Sequence, residues 1–144
     1  MVDFLDVNVW IALTTQEHPH HERAATYFKL EAQPILGFCR ITALAYIRIT
    51  TQRHTVGGEP LSLSEAWENY QKLLALQEVR MFFDPDRLDE VMENWIEQGL
   101  ASTKTFTDLY LAAFAKAGSF RLVTFDKDFQ RFPGLDLLHL NSNS

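Results

Sequence analysis

Four short apolar runs recur along the chain, at residues 2–5, 33–38, 79–83 and 121–126, and segments with helical hydrophobic period separate them. Neighbouring parallel strands need a crossover of about a dozen residues or more, usually a helix. The spacing of the four runs meets that requirement each time. Strands alternating with helices predict an α/β chain whose mostly parallel sheet is covered on both faces. The expected architecture is a three-layer α/β/α sandwich of four to five strands, with the fifth an edge strand at residues 135–140.

The intervening segments carry their own signals. Val9, Ile11, Ala12 and Leu13 begin an apolar helix directly after the first strand, and the change of period falls at Asp6-Val7-Asn8. His18-Pro19-His20-His21 leads into a second helix ending near Leu30. Adjacent histidines point about 100° apart on a helix, unlike the i, i+4 pair of a helical zinc site, so polar helix entry is preferred to a metal role. A helix follows at residues 42–52, and Val56-Gly57-Gly58-Glu59-Pro60 breaks the chain. Ser62 and Glu65 have capping-box spacing at the start of the next helix. Leu88, Val91, Met92, Trp95 and Ile96 line the inner face of another, which stops near Gly99. The segment 105–115 is apolar almost all round, the pattern of a helix buried between other elements, and Gly118 is expected to end it.

The 144 residues suit one domain, 1–144, of a size that buries roughly 70% of its unfolded surface. Cys39 is the only cysteine, so no intramolecular disulfide or zinc cage forms from thiols, and a reducing compartment is expected. Asp3 and Asp6 occupy the place where a secretory leader would need a basic start and an apolar run. No uncharged stretch approaches the roughly 18 residues of a membrane helix. A cytoplasmic protein without a membrane association is the expectation. The formal charge of −6 argues against binding DNA through a general basic surface. Its distribution is uneven. Residues 32–58 contain no acid but hold Arg40, Arg48, Arg53 and His54, whereas residues 84–97 carry six carboxylates against Arg87 alone. The first window suits phosphates or an acidic partner; the second reads as a solvated helix face.

Sites in open parallel sheets form outside the carboxyl ends of the strands. Asp6 and Asp126 each follow an apolar run directly, and Asp108 falls in the first turn of the buried helix that feeds the last of those runs. Each has a local explanation: Asp6 as a helix N-cap, Thr105 and Asp108 as a capping box, Asp126 as the start of a turn through Asp128. Three carboxylates in one partly dry cleft, however, repel one another and call for protons or a cation. Oxygen-only donors select a hard ion, and magnesium takes few carboxylates plus waters and substrate phosphate. That chemistry fits hydrolysis of a phosphodiester. No phosphate-binding Gly-rich loop, dinucleotide fingerprint or Gly-x-Ser-x-Gly elbow is present.

Three blocks, Phe4-Leu5-Asp6-Val7-Asn8-Val9-Trp10-Ile11-Ala12, Thr107-Asp108-Leu109-Tyr110-Leu111-Ala112-Ala113-Phe114-Ala115 and Arg121-Leu122-Val123-Thr124-Phe125-Asp126-Lys127-Asp128-Phe129, together resemble PIN-domain ribonucleases, specifically the VapC-type toxins of toxin–antitoxin pairs. The His18–Ala24 stretch is similar to the family's second-helix entry. The resemblance implies a magnesium-dependent endoribonuclease, with manganese as a substitute ion. It also implies a homodimer silenced by a VapB-like antitoxin, with RNA as substrate. Carried over residue by residue, Asp6, Asp108 and Asp126 match the family's metal-binding and catalytic acids. Asn8 and Thr124 match its polar neighbours, and Asp128 stands as an outer substitute. The glutamate that the family usually carries on the helix after the second strand is missing, since residues 40–50 contain no acid. That departure puts a second metal in doubt and leaves a catalytically degenerate RNA- or protein-binding module as the alternative. Arg48 on the same helix is a candidate contact for RNA or antitoxin, or a snorkelling surface arginine.

Overall fold

A computed structural model describes residues 1–52 and 59–141. Arg53, His54 and the Val56-Gly57-Gly58 break lie outside them. The elements run β1 (Val2–Leu5), α1 (Val7–Thr14), α2 (His21–Leu30), β2 (Ile35–Phe38), α3 (Arg40–Thr50) and α4 (Leu63–Leu74). They continue as β3 (Val79–Met81), α5 (Leu88–Glu97), α6 (Phe106–Gly118), β4 (Arg121–Thr124) and β5 (Leu137–His139), with short 3-10 turns at Thr103–Thr105 and Lys127–Arg131. The five strands form one sheet in the order β3-β2-β1-β4-β5. All four pairings are parallel, including the edge strand β5, so the sheet is wholly parallel. Among the described residues, no helix is long and apolar enough to cross a membrane.

The pleat sorts the strands' side chains between two cores. On one face Phe4 and Leu122 join Trp95 of α5 and Leu109, Ala112 and Phe114 of α6, and the Phe4 and Phe114 rings stack at 4.7 Å. On the other, Leu5 and Val123 join Val9 and Trp10 of α1, Tyr27 of α2, Tyr46 of α3 and Tyr70 of α4. Burial on both faces explains why the strand sequences read as continuous apolar runs rather than alternating ones. The all-round apolarity of α6 has the same cause: Leu109 and residues 111–115 are all buried.

Of two helix boundaries marked in the sequence, one forms as expected and one differs in detail. Ser62 and Glu65 form the expected capping box, with Glu65 N–H donating to Ser62 Oγ at 3.1 Å and Ser62 N–H to Glu65 Oε1 at 2.9 Å. Gly118, by contrast, is the last helical residue, and the left-handed position belongs to Ser119 (φ 59°). Glycine is needed at 118 for space instead, because a Cβ there would run into the Phe120 ring.

At the amino end of the sheet, the fully buried Asp3 is satisfied from four directions. Arg121 Nε and Nη2 donate to its two oxygens at 2.7 and 2.9 Å, Tyr27 Oη donates at 2.5 Å and Gln33 N–H at 3.1 Å. Arg121 Nη2 also donates to the Glu31 carbonyl at 2.8 Å. This network ties β1 to β4 and to the α2–β2 connection. Removing one member of a buried ion pair leaves the other uncompensated. Arg121→Ala is therefore expected to lower unfolding free energy by about 3 kcal/mol in urea denaturation. Adding Asp3→Asn should recover part of that loss.

Candidate active site at the carboxyl edge

The chain moves outward from β1 through β2 to β3, then returns to place β4 on the opposite flank of β1. The two strands leaving the centre in opposite senses open a crevice at their carboxyl ends, where ligands bind in such sheets. Asp6 stands at the end of β1, two residues before Asn8, and Asp126 stands two residues beyond β4.

Asp6 is held firmly. Its N–H donates to the Val123 carbonyl at 2.9 Å, which extends the β1–β4 pairing by one step. Its Oδ1 accepts from Val7 N–H at 2.8 Å and its Oδ2 from the Thr124 hydroxyl at 2.8 Å. The N-cap role read from sequence is thus real, and the same carboxylate also bonds across to the end of β4. Thr124 Oγ1 accepts in turn from Asp126 N–H at 3.0 Å. Asn8 Oδ1 accepts from Phe125 N–H at 3.5 Å, and Asp126 Oδ1 from Asp128 N–H at 2.9 Å. Asn8 and Thr124 therefore act as ties between the two strand ends, and Asp128 closes the turn that positions Asp126.

Burial raises the Asp6 carboxyl to about 6, against the lowering effects of the Thr124 and Val7 bonds, and the charges of Asp108 and Asp126 raise it further. Asp108, in the first turn of α6, is also raised, first by burial and then by Asp126, with Arg131 opposing. The expected capping box between Thr105 and Asp108 does not form; Thr105 pairs with Ser102 instead, which leaves the Asp108 carboxylate for the crevice. Asp6, Asp108 and Asp126 are thus gathered closely enough to repel one another. None of them forms an ion pair among the described residues.

These donors are oxygen-only, as a hard ion requires. Among the described residues no group of three or more Asp, Glu, His or Cys side chains is placed to hold a metal ion together. Asp6 and Asp108 are the carboxylates from which an ion could be held, and their chemistry suits a hard cation rather than zinc.

Other residues singled out in the sequence fall elsewhere. Arg48 sits in the last turn of α3, roughly 12 Å along the helix from Arg40 at its start. Arg40, beside the β2 strand end, is the cation nearer the carboxyl edge, and its Nη1 donates to Tyr70 Oη at 3.4 Å. The histidines are occupied locally: His18 Nδ1 accepts from His20 N–H, His21 Nδ1 bonds the Ala12 carbonyl, and the His20 ring stacks on Phe125 at 4.7 Å. Arg131 was not anticipated. Its Nε donates to the Leu100 carbonyl at 2.8 Å and its Nη1 to the Asp128 carbonyl at 2.6 Å, which links the α5–α6 connection to the turn after β4. Its position five residues after Asp126 was the only signal available.

The raised Asp6 makes a prediction about stability. A carboxyl that holds its proton more tightly folded than unfolded makes the native state bind more protons, so stability falls as pH rises from about 4 through 6. Asn preserves the shape and removes the charge. In the absence of divalent ions, the stability of Asp6→Asn relative to wild type should rise by on the order of 2 to 3 kcal/mol between pH 4 and pH 7.5, on top of a constant loss from the one of its two accepted hydrogen bonds that an amide nitrogen cannot keep. Thermal or urea unfolding across that range measures the rise.

Comparison with known proteins agrees with this geometry. The PIN domain family profile matches residues 4–135. The chain is 32% identical to ribonuclease VapC41 of Mycobacterium tuberculosis over 92% of its own length and 94% of the relative's. It is 31% identical to ribonuclease VapC44 of the same organism, over 94% and 95%. Two solved structures share the fold at 16% identity. VapBC2 of Rickettsia felis, bound to a promoter DNA fragment, has a TM-score of 0.70 over 98% of this chain and 100% of that one. VapC20 of M. tuberculosis, described as a Sarcin-Ricin loop cleaving toxin, has a TM-score of 0.69 over 93% and 97%. With its sequence matched over nearly its whole length and its acids gathered at the β1–β4 crevice, the chain belongs to the PIN-domain family, among proteins of the VapC type.

Proposed function

We propose that the chain is a magnesium-dependent endoribonuclease, the toxin of a toxin–antitoxin pair, which hydrolyses RNA phosphodiester bonds at the Asp6, Asp108 and Asp126 cluster. The observation that carries the reading is the Asp6 carboxylate. It is buried at a strand end, raised by burial and by two like charges, and stabilised by hydrogen bonds rather than by a basic side chain. Such a group costs stability when charged, which is a signature of functional carboxylates. The relatives named as VapC ribonucleases and the neighbours solved as VapBC pairs support RNA as substrate and an antitoxin as partner.

Asp6 and Asp108 would hold the magnesium, with manganese able to replace it. When bound, the ion lowers the pKa of a water and offsets charge growing on the phosphoryl oxygens. Thr124 fixes the rotamer of Asp6 through its hydroxyl, and Asn8 holds the β4 exit in register with the start of α1. Asp126, positioned by its N–H bond to Thr124 and by the Asp128 turn, completes the negative field that attracts the cation. A homodimer in the cytoplasm is the state in which we expect the protein to act. The absence of an acid on α3 favours one ion over two, and it is the observation that favours a degenerate RNA-binding module as the second reading.

The test is cleavage of total and synthetic RNA by purified protein, with and without EDTA. Asp6→Asn and Asp108→Asn are expected to reduce cleavage at least about 100-fold, and magnesium or manganese should restore the chelated wild type. Magnesium should also raise the melting temperature of wild type but not of Asp6→Asn. RNA that is bound equally well with EDTA and left intact would establish the second reading instead.

A further inference from the structure

Beside the acid cluster lies an open cavity of about 620 Å³, a volume typical of small-ligand sites. One wall is the segment from Gly99 through Ser102 together with Thr105, three residues before Asp108; the other is Lys127, Asp128, Gln130 and Arg131, directly after Asp126. We propose that this cavity is a nucleotide subsite. It takes one unpaired RNA residue next to the cleaved bond, with Lys127 on its phosphate and the Gln130 amide and Ser102 hydroxyl on its base edge. The inference rests on the reading of the chain as an RNA-binding nuclease and adds to it the residues that choose where the strand is held.

The chemistry of the walls favours this occupant. Lys127 is exposed and makes no ion pair among the described residues. It therefore supplies a free positive charge next to a cluster that would otherwise repel a polyanion. Arg131 cannot take that part, because its guanidinium lies over the Phe132 ring at 4.3 Å and is bonded to the Leu100 and Asp128 carbonyls. It acts as the brace that holds the two walls apart. Small residues at 99 and 101 leave a slot between the walls, and the exposed Gln130 amide and Ser102 hydroxyl offer both donors and acceptors to a base edge. Sequence-selective RNA recognition works on such splayed, unpaired bases.

The experiment uses the full chain with fluorescent single-stranded RNA oligonucleotides. Anisotropy with EDTA reads binding, and mapped cleavage with magnesium reads hydrolysis. Lys127→Ala is expected to weaken binding about tenfold and to reduce the log–log salt slope by about 0.7, the contribution of one phosphate contact on a single strand. Gln130→Ala should redistribute cleavage among sequence contexts while keeping the melting temperature of wild type. Wild-type affinity, salt slope and cleavage pattern in both variants would overturn the subsite, even if RNA is cut. If Lys127→Ala weakens binding but wild type cuts nothing, the subsite stands and the hydrolytic reading falls. If wild type neither binds nor cuts RNA, both fall.

Discussion

The carboxyl edge of this sheet depends on the β1–β4 pairing being carried one residue past the end of the strand. The bond from Asp6 N–H to the Val123 carbonyl fixes the backbone of Asp6 against β4, and the Thr124 hydroxyl then meets the Asp6 carboxylate. From that contact the rest follows by short steps: Thr124 receives Asp126 N–H, Asp126 receives Asp128 N–H, and Arg131 binds the Asp128 carbonyl and reaches across to Leu100. A shift of one residue in this register would carry Thr124 away from Asp6 and exchange the strand faces between the two cores.

The register is itself fixed from the far end of the same two strands. The Arg121 bidentate pair with Asp3 sets the offset between β1 and β4, and the apolar packing of Phe4 and Leu5 on opposite faces agrees with it. The two ends have opposite electrostatic characters. Asp3 is neutralised by an arginine and two further donations, while Asp6, three residues on, has only hydrogen bonds and two repelling neighbours. The buried charge at the amino end stabilises the fold. The one at the carboxyl end works against it, a combination that recurs at functional sites.

Much of this was legible in the sequence because it rests on local signals. Apolar runs bounded by Asp or Gly gave strand positions, period changes located α1 and α6, and carboxylates at run ends marked Asp6 and Asp126. What was not legible depends on which strands become neighbours. Asp3 looked like a charge near the terminus until β4 brought Arg121 beside it, 118 residues away. Arg48 stood out in a window free of acids, but helix rise carries it away from the strand ends, and Arg40 takes the nearer position. Thr105 and Asp108 had the spacing of a capping box, yet the 3-10 turn before α6 pairs Thr105 with Ser102. Gln130 and Arg131 lie outside the three blocks, and Lys127 lies inside one without a role of its own; only the cavity they share with the α5–α6 connection gives them a place.

The strand order also governs when the acid cluster can exist. β1 is the first strand made and β4 the fourth, and Asp6 gains its partner Thr124 only after nearly all the chain has been synthesised. Non-local pairings of this kind form late because their loop closure must precede any gain from contact. A nascent chain that ends before Arg121 can already pack α6 on β1 through Phe4 and Phe114, but it lacks the Val123 carbonyl and Thr124 hydroxyl that hold Asp6, and it lacks Asp126. The acidic centre is therefore assembled only once the final strands have emerged.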